Sequence, residues 1–556
     1  MHLFGRAAAF IVKPLVLLHL ILMIQGGLFL WTTVHPYTIH APNRTYLINR
    51  GHLLYSSYIR QSKEGAWSLI NPHTTRPTPR VYTHLFFVLL GKIAALGNIE
   101  PITMYMASRV VAAIILFWST YWFIRIILPA SPGLGGPKSL HALAILFILA
   151  LEPGPLLSAV TWNPALWKAS IFSYFPQVAT YRHFGLPHHT MGEAIGLLLL
   201  GMFILSVRKP TGKRLAALLL LAIFDTIVLP PYPIILLLTV LIPWGLYSLV
   251  THRLRHLLIP FSVSVLAVGA VGLFTKHEIS KGYPWTNFNL DEKRWVPNSE
   301  VLMNYLSTLL LYSPFVAYLW AKAMKVWKQW DRDRRTIVVI MTSWVILPPL
   351  LVPLSGQPWF PFANFRLMDG YNFVPIGVLA TLGFSYGVGS IKRRSLANFL
   401  AGFLVTGIIV SSSFLTILYT RQTFTEHTGL WSNVYLGNGH YKAFEFLRTV
   451  PKGSGIMVMN HFGEIIPDFA SVRTFIGATP GFVNWGELFF IATRFYTGQL
   501  TDTEAAEILK KEDISYVYYS DEEAYYNTTG TLYPNLLTPI FELPGVTIYK
   551  VNSFVR

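Results

Sequence analysis

Apolar residues gather into eleven long runs between the amino terminus and residue 419: 9–33, 102–124, 140–158, 191–207, 214–230, 232–250, 257–274, 302–321, 336–354, 371–389 and 397–419. A helix crossing a bilayer needs about 20 mostly apolar residues, so each run reads as a membrane span. The first is too long for a secretory signal peptide and lacks a small-residue cleavage site; it reads as a retained span. One more apolar segment, 81–97, is short. Between them, residues 53–64 predict an amphipathic helix, with Leu54, Tyr55, Tyr58 and Ile59 on one face and Arg60, Lys63 and Glu64 on the other.

From Thr420 the pattern changes. Residues 455–459 (GIMVM), 473–477 (RTFIG), 514–519 (ISYVYY) and 546–551 (VTIYKV) read as short strands rich in β-branched and aromatic side chains. Residues 501–511 (TDTEAAEILKK) read as a helix opened by a Thr501/Glu504 capping box and closed by two lysines. The tail therefore predicts an α/β domain over 420–556. It contains no glycine-rich phosphate loop and no nucleophile elbow, and GATPG at 477–481 reads as a turn. A lid or partner surface is the expected role, rather than a second active site.

Composition sharpens this picture. Of 556 residues, 53% are apolar and only 13% charged, about half the charge of a soluble globular protein, which excludes an ordinary soluble enzyme. The absence of cysteine excludes disulfides, thiolate zinc sites and cysteine nucleophiles. The net charge of +18 is uneven: 34 basic and 12 acidic residues up to Tyr419, then 10 basic and 14 acidic. The basic residues sit between apolar runs, so the excess is not that of a nucleic-acid binder.

Short cytoplasmic loops carry excess Lys and Arg. With 81–97 left outside the membrane, the basic residues of five alternate loops fall on one side: Arg125 and Lys138; Arg208, Lys209, Lys213 and Arg214; Arg253 and Arg255; Lys325, Lys328, Arg332, Arg334 and Arg335; Lys392, Arg393 and Arg394. The expectation is a cytoplasmic amino terminus, an extracytoplasmic tail and an interfacial helix at 81–97. The first outer loop 34–101, the loops 159–190, 275–301 and 355–370, and the tail then share the outer face.

Candidate chemistry concentrates in those loops. Arg60 and Lys63 are suited to a lipid-linked phosphate with Glu64 as base; the alternative is an i,i+4 ion pair of Arg60 with Glu64 on a solvated face. The second outer loop holds TWNPALWK (161–168), then Arg182 and His183, with His188, His189 and Glu193 following, as metal ligands or as a phosphate-facing cluster. In the fourth, Arg366 is suited to clamp a phosphate and Asp369 to orient it, or the two form an interfacial ion pair. The charges of the third, Asp291, Glu292, Lys293 and Arg294, read as solvated. Asp225 and Arg109 lie inside spans and either pair with each other or mark a polar cavity. Glu152 reads as interfacial.

YSSYIRQSKEGAWSLINPHT, then HLFFVLLGKIAAL and MASRVVAA, resemble the first-loop block of the GT-C class of membrane glycosyltransferases. FRLMDGYNFVPIGVLA resembles that group's late arginine-bearing loop, and EILKKEDISYVYYSDEE with GVTIYKV the tail of many bacterial members. The resemblance implies a polytopic α-helical membrane protein of about 11 transmembrane helices, domain 1–419, with an extracytoplasmic α/β domain. It implies transfer of a sugar from a polyprenyl-phosphate donor to a cell-envelope glycan, lipid or protein, at the plasma membrane. It leaves any cofactor, including a divalent metal, undefined. Residues 34–80 depart from the family by containing no aspartate: Gly51 stands about where one is expected, and Glu64 is the lone carboxylate. Glu64 and His52 are then the candidate bases, with His73 and His188 behind them. Arg60, Lys63, Arg182, His188, Arg366 and Asp369 are the substrate-binding candidates. A non-catalytic descendant of the fold acting as a scaffold, and a transporter of lipid-linked saccharide, are the competing readings.

Overall fold

The computed structural model describes residues 13–39, 44–46, 53–128, 137–150, 179–251, 254–287, 293, 297–357, 359–360, 362–368, 372–393, 435–477 and 485–552, with short helical pieces between 395 and 407. The chain forms two compact units, each drawn from three segments: residues 1–30, 109–274 and 293–420 in the first, and 31–108, 275–292 and 421–556 in the second.

Helices occupy ten of the eleven apolar runs, and the run 397–419 lies largely outside the described residues. Among the described residues, five helices are long and apolar enough to cross a membrane: Pro101–Ile127, Pro187–Arg208, Pro231–Val250, Leu258–Ile279 and Arg332–Gly356. Pro187–Arg208 sits deepest in the first unit, and Leu258–Ile279 presents most of its surface outward. Their all-round apolarity follows from that setting, since a lipid-facing helix has no polar face to keep wet. A π turn at Leu237–Leu241 interrupts one helix, and a second π turn, Leu146–Ala150, follows the helix Pro137–Ile145. The carbonyls of the second are taken by side chains: Tyr312 donates to Phe147 O at 2.8 Å, Arg182 to Ile148 O at 3.1 Å and Gln25 to Leu149 O at 2.9 Å.

The segment 81–97 contains a helix of 12 residues, Leu85–Leu96. At 1.5 Å per residue it is about 18 Å long, too short for a core of about 30 Å. Phe86, Phe87 and Ala94 are buried on one side, and Leu89, Ile93 and Leu96 are exposed on the other. It packs on the helix Leu53–Lys63 through Gly91, where a Cβ would strike the Ile59 carbonyl and Ser62.

The tail builds a five-stranded sheet in the order β4-β3-β5-β7-β6, numbered in chain order: β1 Arg44–Tyr46, β2 Tyr435–Gly437, β3 Gly455–Met457, β4 Arg473–Thr474, β5 Ile514–Ser520, β6 Leu537–Leu543 and β7 Val546–Val551. Strands β4, β3 and β5 are parallel, while β7 and β6 return antiparallel. All four expected strands form. The pattern of alternating residues missed β6, which carries Pro539, and β2, which pairs with β1 of the first loop. The capping box forms as read: Thr501 accepts from the Glu504 backbone at 3.2 Å, and Glu504 from the Thr501 backbone at 2.8 Å. Met457, Phe495, Tyr496, Leu509 and Val517 are among the side chains filling the core beside the sheet. Tyr496 ties two strands by donating to Met457 O and Tyr518 O.

Candidate active site

The first-loop helix Leu53–Lys63 forms where expected, and Leu54, Tyr55, Tyr58 and Ile59 are buried as its apolar face implies. Its other face is solvated only in part: Glu64 is exposed and Lys63 half-buried, while Arg60 is buried. Ser56, Ser57 and Arg60 are buried too, because the tail's helix Asn460–Phe469 belongs to the same unit and packs against it. Arg60 donates through Nε to Pro467 O at 2.8 Å and through Nη1 to Glu64 at 2.9 Å and Ser471 at 2.6 Å. Glu64 also accepts from Ser471 at 2.5 Å and Lys452 at 3.1 Å. Burial alone would raise the Glu64 carboxyl, but the Arg60 charge and the hydrogen bonds from Ser471, Arg60 and Lys452 outweigh it and hold the group below its ordinary range. Lys63 is half-buried on the same helix. The i,i+4 pair thus forms as one link in a latch between loop and tail.

Further links follow downstream. Arg76 forks onto Glu512 at 3.1 and 3.2 Å, and Arg473 donates to Thr75 O and, at 2.6 Å, to Asp513. The Thr474 backbone donates to Pro72 O at 2.9 Å, extending the β4 edge with loop backbone. His73 is fully buried, with Nδ1 on Gly463 O at 3.2 Å. Burial, with the nearby Arg60 charge, pushes its imidazole down to about 4 against the raising effect of the Gly463 bond. No sequence signal marked these contacts, since they join positions some 400 residues apart.

The helix Asn460–Phe469 begins at the carboxyl end of β3, where open α/β sheets take anionic ligands. Here the chain's own carboxylates fill that position. Glu523 accepts from the Met459 backbone at 2.8 Å, and Glu522 from His461 and Phe462 at 3.2 and 3.4 Å.

In the first unit, two candidates from different loops meet. Arg366 reaches His189 Nε2 through Nη1 at 2.6 Å, across 177 positions, and its guanidinium lies over Phe365. An arginine only donates, so His189 accepts there and its proton sits on Nδ1, toward Tyr232 Oη at 3.5 Å. His188 stands edge-on to His189 at 4.5 Å between ring centroids, and Glu193 is buried one turn on. With its Nε2 turned to a guanidinium, His189 is oriented for an anion-binding cluster rather than for a cation. His189 and Tyr232 join the cluster through tertiary contact.

Arg182 is buried elsewhere in this unit. Besides Ile148 O it contacts His183 Nε2 at 3.3 Å and lies over Phe373 at 3.9 Å, while His183 bonds to Gln25 at 2.7 Å. Arg109 does not pair with Asp225: it donates to Phe184 O at 2.5 Å and lies over Phe29, and Asp225 is buried with no hydrogen bond. Lys293 is not merely solvated, since it caps the carbonyls of Gln357 and Phe360 at 3.0 and 2.7 Å. His52, Asp369, Glu152, Asp291, Glu292, Arg294 and residues 161–168 lie outside the described residues.

The sequence matches no family model and no curated protein. The structure is similar to that of the oligosaccharyltransferase of Archaeoglobus fulgidus tethered to an acceptor peptide containing the NVT sequon, at 13% identity over 97% of this chain and 74% of that one, with a TM-score of 0.52. The chain has the GT-C fold. A second GT-C structure, the same archaeal enzyme in complex with an inhibitory peptide and a dolichol-phosphate, matches at 12% identity over 97% and 74%, TM-score 0.50. A third, a variant of the arabinofuranosyltransferase AftD from Mycobacteria, matches at 13% over 97% of this chain and 41% of that one, TM-score 0.52. The GT-C fold is that of integral membrane proteins, in keeping with the apolar helices.

Proposed function

We propose that the protein is a membrane glycosyltransferase that moves a sugar from a polyprenyl-phosphate donor to an acceptor outside the cytoplasm. The observation that carries this reading is the meeting of Arg366 with the His188–His189 pair and Tyr232. A guanidinium fork suits a phosphate dianion, and a cation fixed where charge develops on the departing phosphate is the main electrostatic need of the reaction. The dolichol-phosphate in a structure of the same fold supports a lipid phosphate as the ligand. The eleven-span topology, with the amino terminus in the cytoplasm of a plasma membrane and the tail outside, belongs to this proposal, as do roles for Arg182, Lys63 and Asp369 near the substrate. Of the candidate bases, Glu64 has its lone pairs engaged by three donors, which supports a latch role for it; His52 stays a candidate.

The test is binding of radiolabelled undecaprenyl phosphate to the full chain in nanodiscs. Arg366→Gln is expected to weaken binding about 10-fold or more, the loss of one charge-assisted phosphate contact. Arg334→Gln, on a loop expected to be cytoplasmic, is expected to leave binding unchanged. Equal affinity of Arg366→Gln and the parent chain would sink the assignment.

A further inference from the structure

Gln25, Arg182 and His183 carry polar chemistry into the apolar body of the first unit and meet beside the π turn Leu146–Ala150, where they are 2%, 5% and 1% exposed. The direction of each bond is fixed. Arg182 donates through Nε to His183 Nε2 at 3.3 Å, so the imidazole keeps its proton on Nδ1 and donates it to Gln25 Oε1 at 2.7 Å. The Gln25 amide is thereby oriented, and its Nε2 donates to Leu149 O at 2.9 Å. Arg182 Nη2 closes the ring on Ile148 O at 3.1 Å. These bonds join the first apolar helix, Pro14–Ile39, to the π turn and to the short helix Ala179–Phe184.

Apolar side chains would serve if packing were the only need. A polar network in an apolar body is costly unless it is satisfied, and once satisfied it fixes one arrangement of its members. The element held here is Ala179–Phe184. Six residues are too few to hold a helix by themselves, and the neighbours supply the rest. Phe184 stacks on Phe29 at 5.1 Å between centroids, its carbonyl accepts from Arg109 at 2.5 Å, and a Cβ on Gly26 would come within 3.3 Å of its ring. Only Gly185 and Leu186 separate Phe184 from Pro187, where the helix Pro187–Arg208 begins. Leu186 O accepts from the His189 and Thr190 backbones at 3.1 Å, and the Thr190 hydroxyl reaches back to Leu186 O at 3.3 Å and Arg182 O at 3.5 Å. His188 and His189 stand in that first turn. The placement of Ala179–Phe184 is therefore transmitted across a two-residue link to His189 Nε2, which meets Arg366 at 2.6 Å. A short bond of this kind tolerates little displacement.

We infer that Gln25 is a positioning residue for the anion site at Arg366, acting from the first apolar helix through His183 and Arg182 on the turn that presents His189. The inference rests on the transferase reading above and gives a role to an uncharged side chain of the first apolar run. Leucine at position 25 keeps most of the volume but leaves His183 Nδ1 without this acceptor and Leu149 O without this donor. The imidazole is then released to turn or to change tautomer, and Arg182 Nε loses the nitrogen that it donates to.

The test is the affinity of the full chain in nanodiscs for radiolabelled undecaprenyl phosphate, measured in a double-mutant cycle. Gln25→Leu is expected to weaken binding about fivefold or more, and by less than about twofold where Arg366→Gln is already present, since the route ends at that guanidinium. Gln25→Asn, which keeps the amide on a shorter stem, is expected to follow Gln25→Leu and carries the test if the leucine variant does not fold. Tyr305→Phe removes another buried hydrogen bond of the same unit, to Val345 O at 2.6 Å, and is expected to leave affinity unchanged whatever it does to the thermal midpoint. Parental affinity in both Gln25 variants overturns the proposal. An equal loss with and without Arg366→Gln overturns it too, as does an equal loss from Tyr305→Phe, which would mean general destabilisation. If Arg366→Gln alone binds like the parent chain, the phosphate reading falls, and hydrogen exchange of residues 185–191 decides the network's role. Faster exchange there in Gln25→Leu, with residues 258–279 unchanged, supports control of the helix entry; unchanged exchange overturns it.

Discussion

Replacing His73 by glutamine should remove a steep acid sensitivity from the junction between the first loop and the tail. In the fold His73 is buried and neutral, and its imidazole is pushed from 6.5 to about 4. The unfolded chain binds a proton near 6.5, so the stability His73 contributes is present above that pH and is lost as pH falls toward 4, where it levels off. A span of about 2.5 pH units at about 1.4 kcal/mol per unit gives roughly 3.4 kcal/mol. Full burial means that solvent screening does not reduce this figure much. Glu64, also depressed, adds acid sensitivity of its own in a lower window, so the difference between parent and variant is the quantity to read. Hydrogen exchange of peptides covering 460–477, corrected for the intrinsic pH dependence of exchange, measures it locally. At neutral pH the variant should be about 1 kcal/mol less protected, from the changed bond to Gly463. Between pH 6.5 and 4 the parent should lose protection relative to the variant by about 3 kcal/mol. Parallel pH profiles would refute the reasoning and place a charged His73 in the native state.

Other substitutions probe the same architecture. Arg60→Ala removes the donor to Pro467, Glu64 and Ser471 and should destabilise the junction by about 3 kcal/mol, read as faster limited proteolysis between 64 and 80. Gly91→Val places a side chain against Ile59 and Ser62 and should cost about 2 kcal/mol or more, read as a lower midpoint of thermal unfolding in detergent. Thr501→Ala deletes the capping box and should cost about 1 kcal/mol, visible as increased exchange in 501–511 with the remainder of the sheet unchanged.

The helices and most strands were legible because their signals are local. Ten apolar runs became helices since lipid or a helical core selects uniform apolarity, and Thr501 and Glu504 cap the helix from within its own first turn. The length of 81–97 already argued against a span, and the helix Leu85–Leu96 is too short to be one. Pro539 hid β6, whose place comes from its partner β7 rather than from its own residues. Arg60 illustrates the limit better than any other position. Its spacing to Glu64 shows in the sequence, and the ion pair forms, yet Arg60 itself is buried by a helix some 400 residues away while Glu64 stays exposed. Likewise Arg366 was singled out for its phosphate chemistry, but its contact with His189 is a product of folding.

What the sequence determined by itself is therefore the set of elements, the apolar body and the sheet-bearing tail, because periodicity, capping and hydropathy act within a few residues. Which polar groups meet was decided by tertiary structure alone. The gathering of Asp468, His73 and Ser56 about Arg60, and of Glu522 and Glu523 at a helix start, depends on how distant segments pack, and burial then sets their chemistry through desolvation.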